Sequence, residues 1–230
     1  TVPIIRIRRS SVVMAPISRS TLGRRRSSWP SIPSGDNPKK YKSTTGSRRP
    51  VDLQFRALSR MRPRDPVLVE GLPGIGNIGL ISVDYLIDRL EARPFAELYS
   101  RHFPPVAILD DDDQASLPSN ELYIHRRRGG DILFLRGDTQ AISAEGQHAV
   151  ARGIIDTCHT LGVRRVVTVG GFYTDPGEIK GGPKILVATS SAAVRATLTA
   201  GGMAERVEFQ SDHGGGTILG ANGLLLGFAR

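Results

Sequence analysis

The 230-residue chain holds one cysteine, Cys158. That excludes a disulfide framework or a cysteine-based zinc site built from this chain alone, and it makes a reducing, cytoplasmic setting the simpler expectation. No uninterrupted apolar run of about 18 residues occurs, so no helix of the sequence is expected to cross a membrane. Acids are wholly missing from residues 1–35. What remains is ample length for a buried core.

The formal charge of +9 points at first toward polyanions, because phosphate contacts need clustered Lys and Arg. Taken by region it divides. Residues 1–50 carry twelve basic residues against Asp36 alone, a net +11, whereas residues 51–230 carry nineteen basic residues against twenty-one acids, a net −2. The first region, rich in Arg, Ser and Pro and without sustained periodicity, reads as a disordered basic arm. Its composition is shared by transit peptides and nucleic-acid-binding tails, and Met14 is an alternative start. Residues 51–64 read as a linker.

From residue 65 onward short apolar runs alternate with amphipathic segments, the mark of a layered α/β domain spanning 65–230. Strands are expected at 66–70, 95–99, 106–109, 121–125, 131–135, 165–169, 185–188 and 206–209. A helix over 77–90 would bury Val83, Leu86, Ile87 and Leu90. A second, capped by Ser143 and stopped at Gly162, carries Val150, Ile154, Cys158 and Leu161 on one stripe. A third spans 190–200 before Gly201 and Gly202, burying Ala193, Val194, Ala196 or Leu198. Residues 220–223 read as a turn, after which 224–230 begins an apolar helix of about two turns, too short to stand alone. A terminal helical segment is therefore expected to be missing.

The most specific local feature is Gly71-Leu-Pro-Gly-Ile-Gly-Asn-Ile-Gly79, which sets Gly74, Gly76 and Gly79 in G-x-G-x-x-G register between a strand and a helix. In a dinucleotide fingerprint such glycines allow the pyrophosphate to approach the helix N-terminus, and Glu97 stands near where a ribose-binding acid would lie. Two features speak against it. Gly71, Leu72 and Pro73 lengthen the turn, and glycines here also let a helix pack closely on a sheet, with Asn77 in a partner-facing loop.

The same phrase, followed by Asp84-Tyr-Leu-Ile87, resembles the opening of the PAC2 family, the proteasome assembly chaperones of archaea, actinobacteria and eukaryotes. The resemblance continues in order through Ala96-Glu-Leu-Tyr-Ser100, Phe103-Pro-Pro-Val106, Leu117-Pro-Ser-Asn-Glu-Leu-Tyr123, residues 131–140, Val169-Gly-Gly-Phe172 and Gly220-Ala-Asn-Gly-Leu-Leu-Leu-Gly227. It covers residues 65–230. It implies a three-layer α/β/α sandwich with a mostly parallel or mixed sheet, similar to the nucleoside phosphorylase type. It also implies a non-catalytic, self-associating chaperone that holds proteasome α-type subunits or the core particle without ATP hydrolysis, cofactor or metal. An older label for similar proteins, ATP-grasp or carboxylate-amine ligase, finds no separated Lys, Glu and Asn set here. Family members that dock on the proteasome ring often end in a hydrophobic-Tyr-any residue tail, whereas this sequence ends Phe228-Ala-Arg230.

Asp110 to Asp113 form an acidic run without calcium-hand spacing, better read as a solvated turn. Asp138 and Gln140 follow one strand and Gly170 and Gly171 another, so a parallel sheet would gather them with the Gly74 loop as a ligand or partner site. Asp212 and His213 pair an acid with a base but have no marked nucleophile. Cys158 and His159 are helix neighbours about 100° apart, which leaves Cys158 buried and inert. Arg126 to Arg128 read as a basic hairpin tip, able to meet an acidic patch.

Overall fold

The computed structural model describes residues 9–10, 52–172, 185–190, 192–200, 207–209 and 216–229. Most of the basic arm, Asp212 and His213, Gly201 and Gly202, and the last residue, for which the sequence raised expectations, lie outside these. Two arm residues are described: Arg9–Ser10 form strand β1.

The main sheet is built from β2 (Gln54–Ala57), β3 (Val67–Glu70), β4 (Arg93–Tyr99), β7 (Asn120–His125), β8 (Ile132–Gly137) and β9 (Arg165–Thr168). Their order is β2-β4-β7-β8-β3-β9. β3 pairs in parallel with β8 and β9, while β7 runs antiparallel to β4 and β8, and β2 antiparallel to β4. The sheet is therefore mixed, and β3, β4, β8 and β9 all point the same way. A short hairpin, β5 (Ile108–Leu109) with β6 (Ala115–Ser116), stands outside it. A second sheet joins β1 to β10 (Gly171–Phe172), β11 (Ile185–Val187) and β12 (Val207–Phe209) in the order β10-β1-β11-β12.

Helices cover both faces of the main sheet. On one side α1 (Ile78–Arg89) presses Val83 and Ile87 onto Phe134 of β8. On the other, α2 (Ala144–Leu161) and α4 (Gly220–Phe228) bury Ile154, Cys158 and Leu225 against Leu68, Leu133 and Leu135. The alternation of Leu68 with Val69 along β3 divides the two cores, as a period of two requires. Burying a side chain such as Leu133 or Leu225 completely stabilises the fold by about 1.5–3 kcal/mol each.

α2 begins and ends where its sequence signals stand. The Ser143 Oγ accepts a 3.0 Å hydrogen bond from the Gly146 N–H, and Gly162 closes the helix at φ 77°. Phe228 near the end of α4 is held against α2, with the Arg152 guanidinium 4.2 Å from its ring centroid.

Three expectations are corrected. Residues 51–64 are not simply a linker: β2 closes one edge of the sheet and Leu53 is buried. Leu53, Phe55 and Ala57 alternate with Gln54 and Arg56, a period-two signal obscured by the polar stretch around it. The four residues Gly220 to Gly223 are the first turn of α4 rather than a separate turn, because the apolar contacts of Ala221 and Leu225 outweigh glycine's poor helix propensity. The third helix, α3 (Ala192–Leu198), has no buried residue, and Val194 is 45% exposed.

Candidate functional site

The loops that follow β3, β8 and β9 meet at one end of the sheet, where β3, β8 and β9 share a direction. They bring Gly74, Gly76, Gln140, Gly170 and Gly171 together, joined by the N-terminus of α4.

The glycine loop is packed from within. A Cβ on Gly79 would lie 2.3 Å from the Val169 carbonyl oxygen, one on Gly71 2.3 Å from the Gly79 carbonyl oxygen, and one on Gly171 2.4 Å from the Ile75 carbonyl oxygen. These are backbone-to-backbone approaches that no side chain could share. The loop turns into α1 through Gly76 at φ 60° and Asn77 at φ 52°, both left-handed. Gly74 has room for a Cβ, which would stand at ordinary contact distance, 3.9 Å from the Leu72 carbonyl oxygen and 4.0 Å from the Gln140 Nε2.

Gln140 ties three segments together. Its Nε2 donates to the Pro73 carbonyl at 2.6 Å, and its Oε1 accepts from the Ala221 N–H at 3.0 Å. The glycine loop and the first turn of α4 thus share one amide. Gly170 approaches the Asn222 side chain, the second contact of α4 with this end.

Asp138 plays a different part. It is exposed, its N–H donates to the Ser119 carbonyl at 2.9 Å and its Oδ2 accepts from the Ser119 N–H at 3.1 Å. Fully buried Asn120, its amide oriented to suit its neighbours, donates to the Thr139 carbonyl at 3.0 Å. These contacts fix the turn after β8 from which Gln140 projects.

Sequence reasoning missed Glu70. The last residue of β3 is fully buried, its Oε1 accepts from the Leu72 N–H at 2.8 Å, and its Oε2 has no partner among the described residues. Burial pushes its pKa up to about 7, opposed by the Leu72 hydrogen bond. A glutamate closing an otherwise apolar strand is the signal that was available. Ala221 and Asn222 were missed as site residues because their segment was read as a turn.

Glu97 is not placed to hold a ribose. It pairs with Arg56 across the β2–β4 edge and accepts a 2.8 Å hydrogen bond from the Tyr99 hydroxyl. Its neighbour across β7 is Glu121, which takes the Arg136 guanidinium at 2.7 Å and completes a row of charges across the strands. Of the three glycine roles in a dinucleotide fingerprint, the geometry shows the third alone, close helix-to-sheet packing at Gly79.

The remaining candidates fall as follows. Asp110 closes its own turn, its Oδ1 accepting from the N–H groups of Asp112 at 3.0 Å and Gln114 at 2.9 Å. Cys158 is buried, with its thiol pushed up to about 12 by burial, while His159 is exposed. The thiol is therefore uncharged near neutral pH. Arg126 to Arg128 form the exposed β7–β8 turn, where Arg126 reaches buried Asp131 at 3.3 Å. Among the described residues no group of three His, Cys, Asp or Glu side chains is arranged to hold a metal ion, and no helix is long and apolar enough to cross a membrane.

This sheet, its flanking helices and its glycine-closed end define the class. The PAC2 family pattern matches residues 68–230, and the chain belongs to the PAC2 family. Uncharacterized protein MJ1210 of Methanocaldococcus jannaschii is 34% identical over 180 residues, covering 78% of this chain and 66% of its own length. The chain thus spans just under two thirds of that relative. Among solved structures, PbaB of Pyrococcus furiosus, described as an archaeal proteasome activator, is 33% identical with a TM-score of 0.71, over 78% of this chain and 75% of its own. PbaA of the same organism, an archaeal homolog of proteasome-assembly chaperone, shares the fold at 18% identity and a TM-score of 0.53, over 77% of this chain and 70% of its own.

Proposed function

We propose that the chain is a non-enzymatic, proteasome-directed binding protein of the assembly-chaperone or activator kind, which engages α-type subunits or the core particle without hydrolysing ATP and acts in the cytoplasm as a self-associating species. The observation that carries this reading is the match of 33% identity and TM-score 0.71 to an archaeal proteasome activator over most of the domain. The site geometry supports it. A glycine loop filled by its own backbone, with Gln140 latched to α4, makes a firm surface rather than a pocket, and a chaperone needs contact surfaces more than a catalytic constellation. The residues Gly74, Asn77 and Asp138 would then face a protein partner.

The reading is tested by co-purifying the chain with proteasome α-type subunits and following core-particle assembly in its presence. The expected result is a stable co-eluting complex and a changed rate or yield of assembly. No association and no effect on assembly would sink it.

A further inference from the structure

The apolar side chains that enter neither core are not spread evenly. Among the described residues five large ones are more than half exposed: Leu219 at 76%, Ile142 at 70%, Leu117 at 68%, Leu109 at 61% and Val106 at 52%. All five stand at the glycine-loop end of the main sheet. Val106, Leu109 and Leu117 lie in the excursion between β4 and β7 that carries the β5–β6 hairpin, Ile142 follows β8, and Leu219 precedes α4. Hydrogen bonds tie these segments to one another. The Ile142 N–H reaches the His102 carbonyl at 3.4 Å, the Ser119 N–H donates to Asp138 at 3.1 Å, and the Ala221 N–H donates to Gln140 at 3.0 Å. Single exposed apolar groups are ordinary on any protein, but their gathering at one end of a small domain marks a contact surface.

The rim of this surface is acidic. Asp111, Asp112 and Asp113 at the hairpin tip, Asp138 after β8 and Glu145 in the first turn of α2 are exposed. Among the described residues no ion pair holds any of the five. Arg101, the arginine that follows β4, is already taken by Asp52 at 2.9 Å. Exposed arginines gather at the opposite end of the sheet instead, where the register of Val67 with Ile132 and Arg165 brings Arg62, Arg126 to Arg128 and Arg165 to one level. Exposed Asp65, Asp88 and Glu91 stand among them. The glycine-loop end thus has an apolar centre and a rim of one sign, whereas the other end mixes both signs.

We infer that the glycine-loop end engages a segment of another protein that is apolar at its centre and flanked by Lys or Arg. Leu117, Ile142 and Leu219 take the apolar side chains, and the carboxylates of the hairpin tip and of Asp138 and Glu145 take the cations. An apolar centre within a charged rim is the composition of such an interface. Charge decides between occupants. A nucleic acid or an anionic headgroup would meet five carboxylates of its own sign, and a second copy laid face to face would set one acidic rim against another, each at a cost in free energy. A basic segment instead gains from every one of them, and an arginine can take two carboxylate oxygens at once. Under the proteasome-directed reading, on which this assignment rests for its partner, the α-type subunits carry that segment.

The test uses the full chain and three doubly substituted variants, each first shown to melt like the wild type by circular dichroism. Asp111→Lys with Asp112→Lys reverses the rim and spares the turn-closing Asp110. Leu117→Ser with Ile142→Ser strips the apolar centre, and Arg128→Ser with Arg165→Ser alters only the other end. One arm measures binding to proteasome α-type subunits by interferometry. The second follows the anisotropy of a labelled synthetic peptide with a Leu- and Ile-rich centre and Lys flanks, beside the same peptide with Glu flanks. The Lys-flanked peptide should bind and weaken toward about 0.5 M salt as the charges are screened. The Glu-flanked one should bind at least ~10-fold more weakly. The rim and centre variants should each lose ~10-fold or more for peptide and subunits alike, while the other-end variant matches the wild type. If the subunits are ignored but the peptide pattern holds, the proteasome-directed reading fails and this one stands. Subunits bound undiminished by both the rim and centre variants, or a Lys-flanked peptide bound no better than its Glu-flanked counterpart, would overturn it. So would binding to phosphatidylcholine vesicles, or association between wild-type copies, that the centre variant abolishes while neither peptide is preferred.

Discussion

The two ends of the main sheet solve opposite problems. At the strand carboxyl ends, the Gly71–Gly79 loop meets the end of β9 backbone to backbone, α4 joins through the Asn222 side chain, and Gln140 bridges Pro73 and Ala221. At the other end, the turns carry exposed arginines; a Cβ on Gly129 would meet nothing within 4 Å, while one on Gly130, at φ 104°, would lie 2.7 Å from the Asp65 carbonyl oxygen. The first end is set mainly by shape, and the second combines one tight glycine, Gly130, with exposed charge. A glycine-rich strand-to-helix loop can therefore serve close packing, while the turns at the other end gather exposed arginines.

The largest effect expected from this contrast comes from one substitution made at both ends. Gly79→Ala drives a methyl into the Val169 carbonyl, where backbone faces backbone and neither can swing aside. It should cost about 3 kcal/mol or more of unfolding free energy in chemical denaturation. Gly129→Ala should stay within about 0.5 kcal/mol of wild type. Equal costs at the two positions would break the comparison.

Next in size is the buried acid. Glu70 takes its pKa from 4.5 up to about 7 in the folded chain, so the native state holds a proton that the unfolded state releases. The sign follows: the folded state's advantage from this group is complete below about pH 4.5 and is lost as pH rises toward 7. Over that window the loss is on the order of 3 kcal/mol at most. Glu70→Gln, which carries no charge at any pH, should flatten the stability profile between pH 4.5 and 7. An unchanged slope would show that Glu70 is ionised in the native state.

The smallest effect belongs to the latch. Gln140→Ala removes both hydrogen bonds and should cost about 1–2 kcal/mol, with faster amide exchange confined to the glycine loop and the first turn of α4. Faster exchange in α2 instead would mean that Gln140 does not couple those two segments.

Much of the layered fold was legible. The Val83–Ile87 stripe, the Ser143 cap and Gly162 stop of α2, and the apolar runs at 66–70 and 131–135 are local signals, and each marks the element observed. What escaped depends on tertiary contacts. β2 was hidden because Leu53 gains its burial against Gly153 of α2, a hundred residues away in sequence. The start of α4 was hidden because glycine at 220 and 223 reads as a turn until the core under Leu225 is known. At the candidate site the gathering of Gly74, Gln140, Gly170 and Gly171 followed from strand direction alone. That these residues pack on themselves did not, because a glycine's sequence cannot tell whether a ligand or a carbonyl fills the space beside it. The basic turns were seen singly at Arg126 to Arg128. Their union with Arg62 and Arg165 needed the strand order.

On the proposed function, the glycine-loop end is a closed surface of a proteasome-directed binder and not a nucleotide site. It is tested most directly by fluorescence-detected sedimentation of the labelled chain titrated with proteasome α-type subunits, with and without ATP, and separately with a panel of nucleotides and nucleosides by calorimetry. The expected result is a faster-sedimenting species with the subunits, indifferent to ATP, and no heat of binding from the panel. A chain that ignores the subunits but binds a nucleotide, with that binding abolished by Gly76→Asp, would contradict it.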